Sequence, residues 1–486
     1  MRNLKLFINN EWVDAEDKRT FNSFNPANKE VIATLSSATK NDVNKAVAAA
    51  RKAHDIGGWS EIDADERADF MIKAAGIMQR RFNEFAELES MDVGKPINEA
   101  KTCDIPYSIR AMEYSANMAR EIRGSVIPLP GNEAFNYVTY EPYGVVATIV
   151  PWNFPLHIAT RSICPALATG NTVVLKPSSE GSVTCNLLGE IFLEAGFPPG
   201  VFNIITGSGN IAGEALITHP DVNLISFTGS LETGRRVIEA SAKNTIKKVL
   251  LELGGKGPFL AEPDCDINAA VISALEGFCF MQGEVCCAST RLYLHEKIYD
   301  EFISKLVQKA NILKLGDPLD PMTQMGSLIN EDHLKKVDVF VKRAIKDGAK
   351  LLCGGEKYII PPCDKGSFYK PTILECSDNK MECVQEEIFG PVLVVLKYKN
   401  LDEAIALAND NQYGLEAIIW SENFKTLCHT AQKLNFGMIS MNASPLSVIE
   451  SPYGGNKNSG LGREDGVVGM MEYLKTKNNY LYISEY

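Results

Sequence analysis

Between Val145 and Leu253, short apolar runs alternate with segments of helical character, and no other feature constrains the fold as strongly. The runs are Val145-Val146-Ala147-Thr148-Ile149-Val150, Thr172-Val173-Val174-Leu175, Phe202-Asn203-Ile204-Ile205, Leu224-Ile225-Ser226-Phe227 and Val249-Leu250-Leu251. Apolar strands joined by helices predict a parallel sheet covered on both faces. Ligands of such sheets bind beyond the carboxyl ends of the strands. The polar and glycine residues of the region fall there: Asn153, Lys176, Gly207, Thr228-Gly229-Ser230 and Glu252. A second alternating α/β region runs from about Phe259 to Ile439.

The flanks read differently. Short strands are expected at Lys5-Leu6-Phe7-Ile8 and Glu11-Trp12-Val13. Helices follow from about Lys40 to Met118, broken near Gly57-Gly58 and Pro96, with Ala68, Met71, Ile72, Ala75 and Met78 on one face. Residues Phe135 to Gly144 read as a strand ending in a turn. A Gly-rich loop from Tyr453 to Glu464 precedes a strand-like tail, Tyr480-Leu481-Tyr482-Ile483, suited to edge pairing in an oligomer. At 486 residues the chain predicts two or three domains.

Bulk chemistry excludes several classes. A net charge of −12 offers no basic surface for nucleic acid or anionic membrane. The N-terminus lacks the apolar stretch of a signal peptide and no apolar run reaches transmembrane length, so a cytoplasmic enzyme is expected. Twelve cysteines are scattered without CxxC spacing and apart from the six histidines, which argues against a metal centre or disulfides. Cys164 and Cys185 are expected as small buried hydrophobes.

Cys286 and Cys287 differ in context, standing between a Gln282-Gly283 turn and a run of small residues. Upstream lie Glu252, just before Gly254-Gly255, and Asn153 inside Pro151-Trp152-Asn153-Phe154-Pro155. A nucleophile, a base and an amide donor suffice for chemistry at a carbonyl carbon. Each has a plainer reading: a buried thiol, a turn-capping carboxylate and a turn residue. Lys176 is either a strand-end lysine reaching solvent or a donor to a cofactor ribose. Gly207-Ser208-Gly209-x-x-x-Gly213 is spaced unlike a dinucleotide fingerprint and equally fits a plain strand-to-helix turn. Thr228-Gly229-Ser230 followed by Gly234 opens a helix and suits a phosphate, with no Lys-Ser/Thr to complete a Walker motif. A papain-like hydrolase would need a partner histidine, and none stands out.

Taken together the motifs resemble those of the aldehyde dehydrogenase superfamily. The matching pieces are Pro151-Trp152-Asn153-Phe154-Pro155, Lys176-Pro177, Phe227-Thr228-Gly229-Ser230, Glu252-Leu253-Gly254-Gly255-Lys256, Gln282-Gly283-x-x-Cys286, Glu386-Glu387-Ile388-Phe389-Gly390-Pro391-Val392 and Ser459-Gly460-x-Gly462-Arg463-Glu464. They occur in family order over nearly the whole chain. The resemblance implies a Rossmann-like cofactor domain (1–122 and 145–254), a second α/β catalytic domain (255–450) and a small β oligomerisation extension (123–144 and 465–486). It implies Cys286 as nucleophile, Glu252 as general base, Asn153 as oxyanion donor with the Cys286 backbone N–H, and Glu464 as an acid on the proton path. Lys176 and Glu387 would bind the two cofactor riboses. Trp152, Ser179, Gly209, Gly229, Ser230, Gly234 and Phe389 complete the cofactor set. Phe154, Ile158, Arg161, Phe280, Val285, Cys287 and the 444–451 loop would surround the aldehyde. The implied reaction is NAD(P)+-dependent oxidation of an aldehyde to an acid, without metal, by a homotetramer or homodimer.

Two positions depart from family usage. Ser179 stands where many NAD-preferring members carry Glu, so NADP+ is permitted beside NAD+. Glu284 replaces the usual Gln, and a carboxylate facing the sulfur would disfavour the thiolate. Arg161, often Trp in the family, is either a reader of a substrate carboxylate or hydroxyl or a structural ion pair. The neighbouring readings are a CoA-acylating dehydrogenase, against which Glu252 argues, and a non-catalytic protein keeping the fold.

Overall fold

The computed structural model describes residues 2–130, 134–444 and 448–482. Residues 445–447 of the 444–451 loop and Ile483 of the tail lie outside the described residues.

The five predicted runs form one sheet. Its parallel centre runs, in spatial order, Lys248–Glu252, Leu224–Thr228, Val145–Val150, Thr172–Pro177, Phe202–Ile204. From Val145–Val150 the chain winds outward through two strands, then returns to the other side for Leu224–Thr228. The strand order therefore reverses between Val145–Val150 and Leu224–Thr228, and a crevice opens at the carboxyl ends there. The antiparallel hairpin of Leu6–Ile8 and Glu11–Val13 closes one edge. Gly460–Leu461 closes the other, so the Gly-rich segment read as a loop contributes an antiparallel strand beside Glu252.

Both faces of this sheet are buried, as near-continuous apolar runs require. Val146, Val150, Val173 and Leu175 enter one core, while Val145, Ala147, Val174 and Ile225 enter another. The same division occurs in the second sheet, ordered Lys350–Cys353, Thr372–Glu375, Val392–Tyr398, Arg291–His295, Pro258–Ala261, Glu416–Trp420, Met438–Met441. There Leu260, Tyr293 and Val394 face one core and Phe259, Leu292 and Val395 the other. The fold is α/β with two such sheets, as expected.

The helical stretch consists mainly of Lys40–Asp55, Ala64–Arg80, Phe82–Val93 and Ile105–Ala119. Ala68, Met71, Ala75 and Met78 are buried on one face as predicted, but Ile72 is 42% exposed. It lies roughly a third of a turn from Met78 and falls off the edge of that stripe. The third small sheet pairs Leu474–Tyr482 with Ala134–Pro142 and Ser125–Ile127. Val126, Phe135, Tyr480 and Leu481 are exposed on it. Among the described residues no helix is long and apolar enough to cross a membrane.

Candidate active site

The thiol is presented by a strained turn. Helix Ile267–Cys279 ends, and Met281, Gln282 and Gly283 follow with φ of 47°, 54° and 72°. Left-handed backbone costs about 1–2 kcal/mol at a non-glycine residue, so the turn must be held from outside. Gln282 accepts from Gly326 N (3.1 Å) and donates to Ser327 O (3.2 Å), while Met281 N donates to Glu99 (3.0 Å). At Gly283 a Cβ would stand 2.3 Å from the Gly390 carbonyl, so only glycine fits. Cys286 and Cys287 emerge partly exposed on a cavity of about 680 Å³.

Glu284 does not face the sulfur. Its carboxyl is fully buried on the opposite side, accepting from Ile329 N (3.1 Å) and from Gln282 (3.4 Å), with His333 3.6 Å away. Burial holds that carboxyl well above the ordinary range, which favours its uncharged form at the position of the family's amide. Its main-chain carbonyl accepts from Asn153 Nδ2 at 2.8 Å. That bond fixes the buried Asn153 amide and leaves its second N–H free.

Glu252 closes its strand 3% exposed, and its Oε1 has no hydrogen-bond partner. Burial first, then the charge of a Cys286 thiolate, push its carboxyl well above the ordinary range. Gly254-Gly255 lets this segment approach its neighbours. A Cβ on Gly255 would stand 2.2 Å from the Cys286 carbonyl, and one on Gly254 2.4 Å from a Glu387 oxygen. The Cys286 thiol is shifted down, chiefly by a hydrogen bond from Cys287, then by Tyr453 and by Arg161, against its own burial.

Phe154, Ile158, Arg161, Phe280, Val285 and Cys287 all line the cavity. His157 and Tyr107 join them, stacked face to face with centroids 3.5 Å apart. Arg161 is paired: its Nε lies 2.5 Å from Glu464 Oε2 and its guanidinium 4.4 Å from the Tyr453 ring centroid. Glu464 also accepts from Ser162 (3.1 Å). At the rim Arg110 pairs with Glu450, and Ser444 donates to Glu276. Burial first, then Arg161 and Lys95, hold His157 well below the ordinary imidazole range, so it is neutral.

A second cavity of about 460 Å³ lies at the strand-order reversal, lined by Trp152, Lys176, Ser179, Gly209, Gly229 and Ser230. Lys176, buried, donates to Pro177 O (2.9 Å) and keeps two further N–H donors; burial lowers it to about 8. Ser230 caps helix Leu231–Ser241, accepting from Thr233 N (3.3 Å), at a helix terminus suited to phosphate. These donors, with Ile149 and Phe227 as apolar wall, fit a dinucleotide. Gly234 sits outside this lining: a Cβ there would strike Leu253 at 2.6 Å, so its part is helix-to-strand packing. Glu387 and Phe389 come from the second sheet's side. Glu387 accepts from Gly255 N (2.9 Å), and Phe389 meets Trp152 edge-on at 5.5 Å.

Sequence reading missed a buried ionic group beneath this site. Lys95 is fully buried, donates to Asp104 (2.8 Å), and lies 4.1 Å from the Phe154 ring centroid. Glu89 beside it accepts from Leu156 N (3.4 Å), at the start of the helix after Asn153. The local signal was a lysine inside Gly94-Lys95-Pro96 between apolar helices. Tyr453 was also missed, although it opens the quoted Gly-rich segment.

The aldehyde dehydrogenase family model matches residues 12–479. The chain belongs to the aldehyde dehydrogenase family. NAD(P)-dependent oxidation of an aldehyde is the activity that this membership carries. A betaine aldehyde dehydrogenase of Bacillus subtilis (strain 168) is 40% identical, with 98% of this chain and 95% of that protein covered. The NAD+ complex of an aldehyde dehydrogenase from Bacillus cereus superposes with a TM-score of 0.97 at 38% identity, covering 99% and 97% of the two chains. An indole-3-acetaldehyde dehydrogenase of P. syringae, with NAD+ and IAA, gives 0.96 at 37% identity, covering 99% and 96%.

Proposed function

We propose that this aldehyde dehydrogenase oxidises uncharged aldehydes, aromatic ones foremost, to carboxylic acids with NAD+ or NADP+. The carrying observation is the cavity leading to Cys286. Its walls are Phe154, Phe280, Ile158 and the Tyr107–His157 stack, and its one deep cation, Arg161, is already paired with Glu464. A substrate carboxylate would find no free cation there among the described residues, and burying one unpaired is costly. The indole substrate in the name of the P. syringae relative is in keeping with this reading, whereas the betaine relative shows that the family alone does not fix it.

Cys286 is the nucleophile, attacking the aldehyde carbon as its thiolate. The free N–H of Asn153 meets the oxyanion; such a donor is worth about 3 kcal/mol. When bound, a nicotinamide would supply the hydride acceptor for oxidation of the thiohemiacetal to the thioester. Glu252 takes a proton from the water that cleaves the thioester. Glu464 holds Arg161 in place. Lys176 and Glu387 would hold ribose hydroxyls, and the Ser230 helix terminus would hold phosphate. The exposed apolar residues of the third sheet supply the contact of a homotetramer or homodimer. With all twelve cysteines free thiols, the cytoplasm is the compartment we assign.

The test is a panel of aldehydes with each cofactor, following NAD(P)H absorbance. Benzaldehyde-type substrates should exceed an ω-carboxy semialdehyde in kcat/KM by about tenfold or more. The highest value for the semialdehyde would overturn the substrate assignment, and a requirement for CoA the hydrolytic one. Ser179→Glu should cut NADP+ use by about tenfold or more through like-charge contact while sparing NAD+. Equal losses with both cofactors would remove Ser179 from the ribose site.

A further inference from the structure

We propose that Tyr453 is a further catalytic residue, its hydroxyl donating a hydrogen bond to the Cys286 sulfur and holding it as the attacking thiolate. The inference rests on Cys286 being the nucleophile. The Tyr453 hydroxyl oxygen lies 3.3 Å from Cys286 Sγ, within range of an O–H···S bond. The side chain is 5% exposed and its position is fixed twice. Its backbone exchanges both hydrogen bonds with Glu464, Tyr453 N to O at 2.7 Å and Glu464 N to O at 2.8 Å. Its ring rests on the Arg161 guanidinium, which Glu464 also grips. A cation against the ring face draws electron density from the phenol and strengthens its O–H as a donor.

The need for such a donor follows from what surrounds the sulfur. Glu252 from its strand end, Glu387 from the loop before Phe389, and Glu416 from strand Glu416–Trp420 all act on a Cys286 charge, and as carboxylates each opposes it. On the favourable side stand Arg161 from helix Pro155–Ala168, the neighbouring Cys287 thiol and Tyr453. Cys287 is itself engaged with Glu416, which Ser440 holds at 2.7 Å. The directed support of the sulfur thus runs from Arg161 through the Tyr453 ring to its hydroxyl. The thiol proton leaves to solvent, and the phenol keeps its own proton throughout.

Tyr453→Phe removes one oxygen and keeps the ring on Arg161. The readout is the pH profile of alkylation of the cofactor-free enzyme by iodoacetamide, with the labelled cysteine identified by peptide mass spectrometry. The sign is fixed. A thiol pKa lowered by Tyr453 rises without it, so thiolate is lost from the low-pH side. Labelling of Cys286 below the wild-type midpoint should fall about tenfold, with the midpoint about one pH unit higher. Unchanged NADH binding by fluorescence shows that the variant is folded. An unchanged Cys286 midpoint would overturn the role of Tyr453, whatever happens to turnover. Wild-type labelling that falls on a cysteine other than Cys286 would instead overturn the nucleophile assignment.

Discussion

Cys286→Ala is expected to abolish NAD(P)H formation, lowering kcat by about 10⁴-fold or more while leaving cofactor binding intact. In the proposed mechanism the thiolate is the only group that forms a bond to the substrate, so nothing downstream proceeds without it. Cys287 does not substitute: the adjacent Cys286, burial and Glu416 push its own thiol well above the ordinary range. The fold should survive, because Cys286 is partly exposed on a cavity wall and its loop is held by Gln282 and Glu284. The measurement is a steady-state assay beside a fluorescence titration with NADH. Dehydrogenase activity persisting in the variant would remove Cys286 as nucleophile.

Glu252→Gln should separate the two halves of the reaction. A stoichiometric burst of NAD(P)H is expected, followed by turnover about 10²–10⁴-fold slower, because acylation does not need the base and hydrolysis does. The pH dependence follows from the direction of the shift. The Glu252 carboxyl is raised by burial and by the Cys286 thiolate, with Arg161 opposing, so the base form is lost as pH falls through that raised value. The Cys286 thiol is shifted down, so its thiolate lasts to lower pH. On the acid side the wild-type burst should therefore outlast steady turnover, and this limb should disappear from the profile of the variant. Acylation has a further consequence. Once Cys286 is a thioester its negative charge is gone and one cause of the raised Glu252 pKa goes with it, which favours the carboxylate when its water must be deprotonated. Steady turnover at the wild-type rate in Glu252→Gln would discard Glu252 as base.

The cofactor half was legible because its chemistry is local. A strand end, a turn and a helix start lie within a few residues of one another, so Val145–Val150 and Leu224–Thr228 announced both the sheet and the residues at its rim. The cavity beside Cys286 was legible in its members but not in their state. Arg161 as a letter admits a substrate carboxylate or a buried ion pair; its partner Glu464 is some three hundred positions away, and only packing brings it to 2.5 Å. Ile72 failed for a related reason: periodicity gives the centre of a buried stripe better than its edge.

Glu284 shows where the division falls. The sequence alone determined that a carboxylate sits two residues before Cys286, that strands and helices alternate, and that a thiol, an amide and an acid stand at loop positions. It could not determine which way Glu284 points, since a left-handed turn at Met281 to Gly283 sets the direction of everything after it. That turn persists because Glu99 and the 326–327 segment, remote in sequence, satisfy its polar groups. Tertiary contacts therefore decided that the carboxyl is buried away from the sulfur, that its carbonyl orients Asn153, and that Tyr453 reaches Cys286. Composition and local pattern fix which groups a chain carries. Long-range packing fixes their direction and charge, because both depend on neighbours the local sequence does not contain.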